Sequence, residues 1–291
     1  MKEFDFVRPG TLAEALDFLA THGVMTRVVA GGTDLMIALR RDDPALADVR
    51  YILDLTGLDD LKGISQEGNV IRIGALVTHS QLADSALLQR TVPFLSQAAF
   101  SVGSPQIRNR GTVGGNIMNA SPAADTLPPL VALEARCRLV ARDGERDLPL
   151  TELLVGPYRT SRRPEEILKE VYFSLPPAGT GFSFQKVGRR KALAISRLSV
   201  AALVTLTNGV IGRARLGIGA ALPTAGRLPA VESFLEGRVL NEQVAAEAGK
   251  LAAAKMVEIT GQRWSTPYKE PVLSALVRRA LLAAVEGREG R

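Results

Sequence analysis

Two glycine turns contain the residues of this 291-residue chain that are best suited to bind an anion. The longer stretch runs from Arg110 to Asp125 and holds three glycines, two asparagines, two hydroxyl residues and a proline. This composition is poor for a helix and poor for a strand, and it predicts backbone held close to something else. Consecutive N–H groups in such a turn form a concave donor surface for phosphate. The alternative is a tight surface loop, and Gly114-Gly115-Asn116 alone does not decide between them.

A shorter turn upstream, Gly31-Gly32-Thr33-Asp34, favours the binding interpretation. It follows a β-branched run from Thr26 to Ala30 and precedes a predicted helix that starts at Leu35. A strand, a glycine turn and a helix N-terminus in this order present N–H groups and a positive dipole end to phosphate. No lysine follows these glycines, so the turn is not a P-loop, nor is it a Gly-x-Gly-x-x-Gly fingerprint. Asp34 is assigned either to capping backbone N–H groups or to a sugar hydroxyl.

Composition excludes several classes of protein. The chain is 46% hydrophobic and 23% charged, as in a globular protein of one large domain or two. The single cysteine, Cys137, excludes an internal disulfide and a cysteine-ligated iron–sulfur cluster, and it is predicted to be a core residue. His22 and His79 have no ligand-spaced neighbours, so no metal site is predicted.

Charge and hydropathy limit the partners. The net charge of +6 includes no long basic run, which argues against nucleic acid and fits an anionic cofactor or an acidic partner surface. There is no apolar run of membrane-spanning length and no leader-like start, so no membrane span is predicted and the chain is expected in the cytoplasm.

The pattern of elements predicts an α+β protein in two parts. The first part is predicted to contain helices after Thr11, Leu35, Thr78, Pro93 and Asp125, strands at 26–30, 51–55, 136–142 and 167–175, and a hairpin over 62–74. Pro176-Pro177-Ala178-Gly179 marks the boundary. Strands at 182–187, 199–207 and 211–218 and helices at 241–257 and 273–285 then predict a small three-stranded sheet packed by helices. Trp264 is assigned to that core, with a partner-facing anchor as the alternative.

Three segments carry a resemblance to a known family: Val28 to Leu35, Gly111 to Asn116 and Ala120 to Asp125. They resemble the FAD-binding motifs of the molybdenum hydroxylases. The whole chain is similar to the separate medium subunit of xanthine dehydrogenase and carbon monoxide dehydrogenase type enzymes. The resemblance implies a vanillyl-alcohol-oxidase-like (PCMH-type) FAD-binding domain over residues 1–176, in subdomains of about 1–57 and 58–176, and a C-terminal α+β domain over 177–291.

The resemblance also implies the residues that contact FAD. The residues expected to line its diphosphate and sugar are Val28, Val29, Ala30, Gly31, Gly32, Thr33, Asp34, Leu35, Thr112, Gly114, Gly115 and Asn116. Asp125 would bond the ADP ribose, and Val102 would lie on the adenine side. Leu168 and Lys186 would contact the flavin, and Ile195 would pack over the isoalloxazine ring. Without the resemblance, Lys186 reads equally well as a solvated lysine at a strand end.

The implied function is electron transfer within a larger enzyme. In the family, electrons leave the substrate at a molybdenum cofactor on a large molybdopterin-binding subunit. They then pass through two [2Fe-2S] clusters on a small subunit and end on FAD in a chain like this one. The resemblance implies an external acceptor and a dimer of heterotrimers, and no catalytic acid or base is assigned. Relatives that reduce hydroxybenzoyl-CoA carry a cysteine-rich [4Fe-4S] insertion, which is absent here because Cys137 stands alone.

Two other functions stay open from the sequence. One is a stand-alone FAD-dependent oxidoreductase of the same fold, although the C-terminal part offers no evident pocket with acid–base residues. The other is a non-catalytic nucleotide-binding module, which would purify as a colourless protein.

Overall fold

Parallel strands form the first sheet and lead into the first glycine turn. The computed structural model describes residues 3–190 and 193–286 of the chain. The first elements are β1 (Asp5–Val7), α1 (Leu12–His22), β2 (Thr26–Val29), α2 (Leu35–Arg40) and β3 (Tyr51–Asp54). β3 lies between β1 and β2 and runs parallel to both. The turn between β2 and α2 therefore lies at the carboxyl edge of the sheet, where α/β folds bind ligands.

An antiparallel sheet of five strands, in the order β4-β5-β10-β6-β7, forms the middle of the chain. Its elements are β4 (Ile64–Glu67), β5 (Val70–Gly74), α3 (His79–Asp84), α4 (Ala86–Thr91), α5 (Pro93–Phe100), α6 (Pro105–Arg110), α7 (Val113–Asn119), α8 (Leu127–Ala132), β6 (Arg136–Ala141), β7 (Gly144–Pro149), α9 (Leu150–Leu153), β8 (Leu154–Gly156), β9 (Arg159–Thr160) and β10 (Ile167–Ser174). The predicted hairpin is confirmed as β4 and β5. Cys137 is confirmed as a core residue, and burial raises the pKa of its thiol to about 12.

The C-terminal part is a four-stranded antiparallel sheet covered by helices. Its elements are β11 (Thr180–Gly188), β12 (Ser196–Thr207), β13 (Val210–Gly219), β14 (Gly226–Arg227), α10 (Pro229–Leu235), α11 (Glu242–Thr260) and α12 (Thr266–Glu286). The expectation of a three-stranded sheet is wrong, because the sheet has a fourth strand, β14. This strand has only two residues and is too short to show alternation in the sequence. None of the helices in the described ranges is both long and apolar enough to cross a membrane.

Two further expectations are wrong. The stretch from Arg110 to Asp125 was expected to be neither helix nor strand, yet it contains α7. Thr112 caps this helix by accepting the Gly115 N–H at 3.0 Å, and the cap and tertiary contacts outweigh the low helix propensity of two glycines. Trp264, assigned to the core, is 95% exposed in the connection between α11 and α12.

The middle and C-terminal sheets share one core. Ala201 and Leu203 of β12 belong to the same buried cluster as Phe94 and Ile117. A Cβ on Gly217 of β13 would lie 2.6 Å from the carbonyl carbon of Pro128, so this strand packs against the backbone of α8. Beside this contact, Glu134 accepts from Arg213 and Arg227, and it lies 3.5 Å from Arg215.

Candidate functional site

The two glycine turns lie against each other. A Cβ on Gly31 would be 2.6 Å from the carbonyl carbon of Arg110 and 2.9 Å from the Cα of Gly111. Asn119 Nδ2 also donates to Asp34 Oδ1 at 3.2 Å. The fold thus brings together two segments that are far apart in the sequence, and only a residue without a side chain fits at Gly31.

The first turn keeps its backbone donors free. Among the described residues, no protein acceptor takes the amide N–H groups of Gly31 to Leu35. Gly32 has a φ of 73°, a left-handed conformation that favours glycine. The Asp34 side chain makes no capping bond to α2, so the capping interpretation is wrong. It accepts instead from Asn119 and, at 3.3 Å, from the Thr33 hydroxyl.

Apolar side chains on both sides anchor this turn to the first sheet. Val28 and Ala30 pack against one buried cluster, which includes Leu53. Val29 and Leu35 pack against a second, smaller cluster around Ile52. Because the side chains are engaged in packing, the turn presents mainly backbone to a ligand.

The second turn uses its donors within the fold. The Val113 N–H donates to Val77 O and the Gly114 N–H to Ala75 O, both at 2.9 Å. The next two N–H groups, of Gly115 and Asn116, donate to the Thr112 hydroxyl and carbonyl oxygens. The structure therefore provides no free row of N–H groups at these four positions.

The two adjacent glycines of this second turn face different surroundings. A Cβ on Gly114 would lie 2.6 Å from both Cβ and O of Ala75, so this position is closed by packing. A Cβ on Gly115 would meet, apart from its own helix, only the Thr112 hydroxyl at 3.0 Å. In the next position, Asn116 Oδ1 accepts from the Thr126 hydroxyl at 2.7 Å. The open side at Gly115 is where a ligand could approach the backbone closely.

His79 contacts the second turn through both its backbone and its ring. Its N–H donates to Gly111 O at 2.9 Å, and its ring is so close that a Cβ on Gly111 would lie 3.1 Å from Cδ2. The residue is buried, and Nδ1 has no partner among the described residues. Burial, aided by the charge of Arg108, lowers the pKa of His79 to about 4, so the ring is neutral near pH 7. No local pattern in the sequence places His79 at this position.

A buried ionic cluster lies at the junction with the C-terminal sheet. Lys186 Nζ is 2.5 Å from Asp125 Oδ2 and donates to Ser101 O at 3.0 Å, while the Ser196 hydroxyl donates to Asp125 Oδ1 at 2.5 Å. Burial raises the pKa of Asp125, and the Lys186 ammonium and the Ser196 hydroxyl oppose that rise. The solvated interpretation of Lys186 is therefore wrong. Ser101 and Ser196 are not predictable from the sequence, because the contacts of this cluster join residues that are 61 to 85 positions apart.

The remaining predicted residues differ in accessibility. Val102 is half-buried just after α5, and its carbonyl accepts from Arg108 Nη1 at 3.1 Å. Ile195 is 81% exposed immediately before β12. Leu168 is buried in β10 opposite Leu139, so its side chain belongs to the core rather than to the surface formed by the turns.

Comparison with known proteins identifies the family to which the chain belongs. Residues 2–176 match the FAD binding domain in molybdopterin dehydrogenase. The chain belongs to the FAD-binding subunits of the molybdenum hydroxylases. Residues 183–284 match a second domain that accompanies it, the CO dehydrogenase flavoprotein C-terminal domain.

Individual relatives of this flavin subunit match end to end. The xanthine dehydrogenase FAD-binding subunit of Escherichia coli O157:H7 is 31% identical over 99% of both chains. A structure of carbon monoxide dehydrogenase from Hydrogenophaga pseudoflava is 28% identical, with a TM-score of 0.90 over 99% of this chain and 98% of the other. Quinoline 2-oxidoreductase from Pseudomonas putida 86 is 27% identical, with a TM-score of 0.87 over 99% of both chains.

The residues of this flavin subunit fit a bound FAD. The free amides from Gly31 to Leu35 form a donor row suited to a diphosphate, and the open side of Gly115 lets a ligand reach the backbone. Ile195 offers an exposed aliphatic surface suited to a flat apolar ring.

Proposed function

We propose that this chain is the FAD-carrying electron-transfer subunit of a heteromeric molybdenum hydroxylase. It takes electrons from the [2Fe-2S] clusters of a small partner subunit, which receive them from the molybdenum cofactor of a large molybdopterin-binding subunit, and it passes them to an external acceptor. The observation that carries the proposal is the end-to-end family match, which covers both parts of a chain whose two glycine turns are in contact.

The chain's own residues would bind FAD in three groups. The amides of Gly31 to Leu35 donate to the diphosphate, and each charge-assisted bond contributes roughly 1.5–3 kcal/mol. Thr112, Gly114, Gly115 and Asn116 form the opposite wall, where the missing side chain at Gly115 permits close approach. Val102 lies towards the adenine, and Lys186, Ile195 and Leu168 lie towards the flavin, Leu168 as part of the supporting core.

The electron source lies on another chain. FAD supplies the redox chemistry when bound, and the protein orients it and excludes water from it. Ile195 would cover one face of the ring, and Lys186 would place a positive charge beside it. The single cysteine of the sequence cannot hold a cysteine-ligated cluster, so the [2Fe-2S] clusters of this proposal lie on a partner.

An exposed aromatic surface supports the subunit role. Trp264 is 95% exposed, and Ile259 and Tyr268 near it are also exposed. The guanidinium of Arg197 lies 5.2 Å from the centre of the Tyr268 ring. Exposed tryptophan and tyrosine beside arginine are typical of interface anchors, and the proposed assembly is a dimer of heterotrimers.

Spectroscopy tests the proposal. The purified chain should be yellow, release FAD on denaturation, and co-purify with a [2Fe-2S] subunit and a molybdopterin subunit when these are co-expressed. Gly115→Val should be folded but colourless, because its Cβ would meet only the Thr112 hydroxyl, at 3.0 Å, while the added side chain blocks the close approach of a ligand to the backbone. A chain that stays colourless after co-expression contradicts the FAD proposal, and a yellow chain that binds neither subunit contradicts the partner proposal.

A further inference from the structure

Three non-glycine residues with a left-handed backbone converge on the segment that follows helix α7. The φ angles are 48° at Ala120, 58° at Tyr158 and 59° at Ala220, in a region that is uncommon and costly for residues with a Cβ. The Tyr158 N–H donates to Ala120 O at 3.0 Å, and the Ala220 N–H donates to Pro122 O at 2.7 Å. Such strain persists only where the surrounding structure holds it, and it concentrates at functional sites.

Exposed aromatic side chains from both parts of the chain lie along this line of contacts. Tyr158, between β8 and β9, is 66% exposed. The contacts continue into the C-terminal part, where Lys269 Nζ donates to Ala220 O at 2.5 Å. Lys269 follows the exposed Tyr268 in α12, and Trp264, which is 95% exposed, lies just before this helix. We name Tyr158, Trp264 and Tyr268 the aromatic strip.

Exposed arginines border the aromatic strip. Arg159 and Arg263 are the sequence neighbours of two of its members, and the Arg197 guanidinium lies 5.2 Å from the centre of the Tyr268 ring. None of these three arginines forms an ion pair with a carboxylate in the part of the chain that the structure describes. Unpaired positive charge beside exposed aromatic rings is complementary to an acidic protein surface, because aromatic and arginine side chains are the common interface anchors.

The aromatic strip adjoins the proposed flavin position. Arg197 stands two residues after Ile195, which is proposed to cover the isoalloxazine ring, and Ala120 ends the helix of the second turn. A protein that docks on the strip therefore lies beside the flavin. In the proposed function the small subunit holds the clusters that reduce the flavin, so this subunit must come close to it. A freely diffusing acceptor would leave Trp264 exposed for most of the time, whereas a permanent subunit covers it.

Resting on the proposed function, we propose that the aromatic strip is the docking surface for the small [2Fe-2S] subunit, which meets it with an acidic surface. Trp264 and Tyr158 are the two anchors, one on each part of the chain, and Arg197 pairs with a carboxylate of the partner. The strained backbone at Ala120, Tyr158 and Ala220 fixes the position of one anchor relative to the other. Little order is then lost when the partner binds.

The test uses the complex assembled by co-expression of the full chain with both other subunits. Dissociation of the [2Fe-2S] subunit on dilution is followed by mass photometry. Trp264→Ala and Tyr158→Ala should each weaken its binding at least about tenfold, because truncation of an interface aromatic residue removes most of its contact. Phe6→Ala truncates a 63% exposed aromatic side chain on β1 and is the matched control, with affinity within about twofold of the wild type. The FAD content of all three variants should equal that of the wild type.

Charge reversal supplies a second readout that a loss of packing would not copy. The double variant Arg159→Glu with Arg197→Glu should weaken binding at least about tenfold at low salt, and the difference from the wild type should shrink at high salt because salt screens charge pairs. Arg90→Glu reverses an exposed arginine of α4 that has no ion pair in the described ranges. This control should change the affinity by less than about twofold.

Each outcome decides the inference. Wild-type affinity of Trp264→Ala and Tyr158→Ala for the [2Fe-2S] subunit would overturn it, and so would loss of the molybdopterin subunit alone. Slower reduction of the acceptor by variant complexes that stay fully assembled would also overturn it, because the strip would then belong to the acceptor. If Tyr158→Ala does not fold, Tyr158→Asn replaces it, since asparagine tolerates a left-handed backbone.

Failure of the docking surface is distinguishable from failure of the proposed function. A wild-type chain that assembles with neither subunit would overturn the proposed function itself. An intact wild-type complex from which the strip variants dissociate no faster than Phe6→Ala would overturn the docking surface only.

Discussion

The two glycine turns look alike in the sequence but use their backbones differently. In the turn at Gly31-Gly32 the amide N–H groups up to Leu35 have no protein acceptor among the described residues. In the turn at Gly114-Gly115 the N–H groups from Val113 to Asn116 all donate within the fold. The first turn therefore leaves a row of donors available for a ligand, whereas the second uses its donors to hold helix, strand and loop close together.

The comparison shows that a Gly-Gly pair has more than one physical cause. A glycine can be required for a left-handed φ, as at Gly32, or for close packing, as at Gly114. Sequence alone does not distinguish these causes, whereas separate substitution of each glycine does.

The largest effect is expected from Gly31→Ala, which separates the turns. The added Cβ would lie 2.6 Å from the Arg110 carbonyl carbon, and backbone on both sides has little freedom to move. We expect a loss of more than about 3 kcal/mol in the free energy of unfolding, measured in urea, together with loss of FAD. Gly57→Ala is the control, because its Cβ would meet only Arg8 Nε at 3.8 Å. Equal stability of the two variants would contradict the packing described here.

Acidification should weaken the second turn through His79. The pKa of this residue is about 4 in the folded chain, against 6.5 as its ordinary value. Protons therefore favour the unfolded chain between these values. This contribution to stability is complete above pH 6.5 and decreases by about 3 kcal/mol as the pH falls to 4.

The measurement is the free energy of unfolding against pH, with His79→Gln as the matched variant. The variant should lack this part of the pH dependence. Superimposable profiles would show that His79 does not titrate in the buried position.

Substitutions of the two adjacent glycines of the second turn should have different effects, one on stability and the other on FAD binding. Gly114→Ala introduces a Cβ that overlaps Ala75, and we expect a loss of about 2 kcal/mol in stability. Gly115→Ala should change stability by less than about 1 kcal/mol, because the higher helix propensity of alanine offsets the tight contact of its Cβ with the Thr112 hydroxyl at 3.0 Å. It should nevertheless weaken FAD binding. If Gly115→Ala binds FAD like the wild type, the ligand does not approach this side of the turn.

The smallest effect is expected from Asn119→Ala, which removes only the side-chain link between the turns. The hydrogen bond to Asp34 is 3.2 Å long and exposed to solvent. We expect a change in the free energy of unfolding within about 0.5 kcal/mol. A much larger loss would show that the side chains, rather than the backbone contact at Gly31, hold the turns together.

Regular patterns made much of the fold predictable. The long strands of the C-terminal sheet were anticipated from their apolar runs, and the hairpin of β4 and β5 from its turn residues. The strand β14 was missed because two residues carry no periodicity. Helix α7 was missed because its cap and its packing against Ala75 and Val77 outweigh the composition of the segment.

The site was predictable only where its parts are continuous in the sequence. Both turns were recognised locally, but their contact at Gly31 and Gly111 depends on the whole fold. The bond between Ser196 and Asp125 joins positions 71 residues apart, which no local spacing reveals. The exposure of Trp264 was likewise not predictable, because an aromatic residue fills a core and an interface equally well.

The contact between α8 and the C-terminal sheet has a consequence for how this subunit can be divided. The two family segments read as separate modules, yet Gly217 lies on the backbone of Pro128, and Glu134 meets the arginines of β13 and β14. A cut between the segments would expose this shared surface and leave charges on both sides without partners. We therefore expect the halves to melt in a single transition and to be poor candidates for domain exchange between relatives.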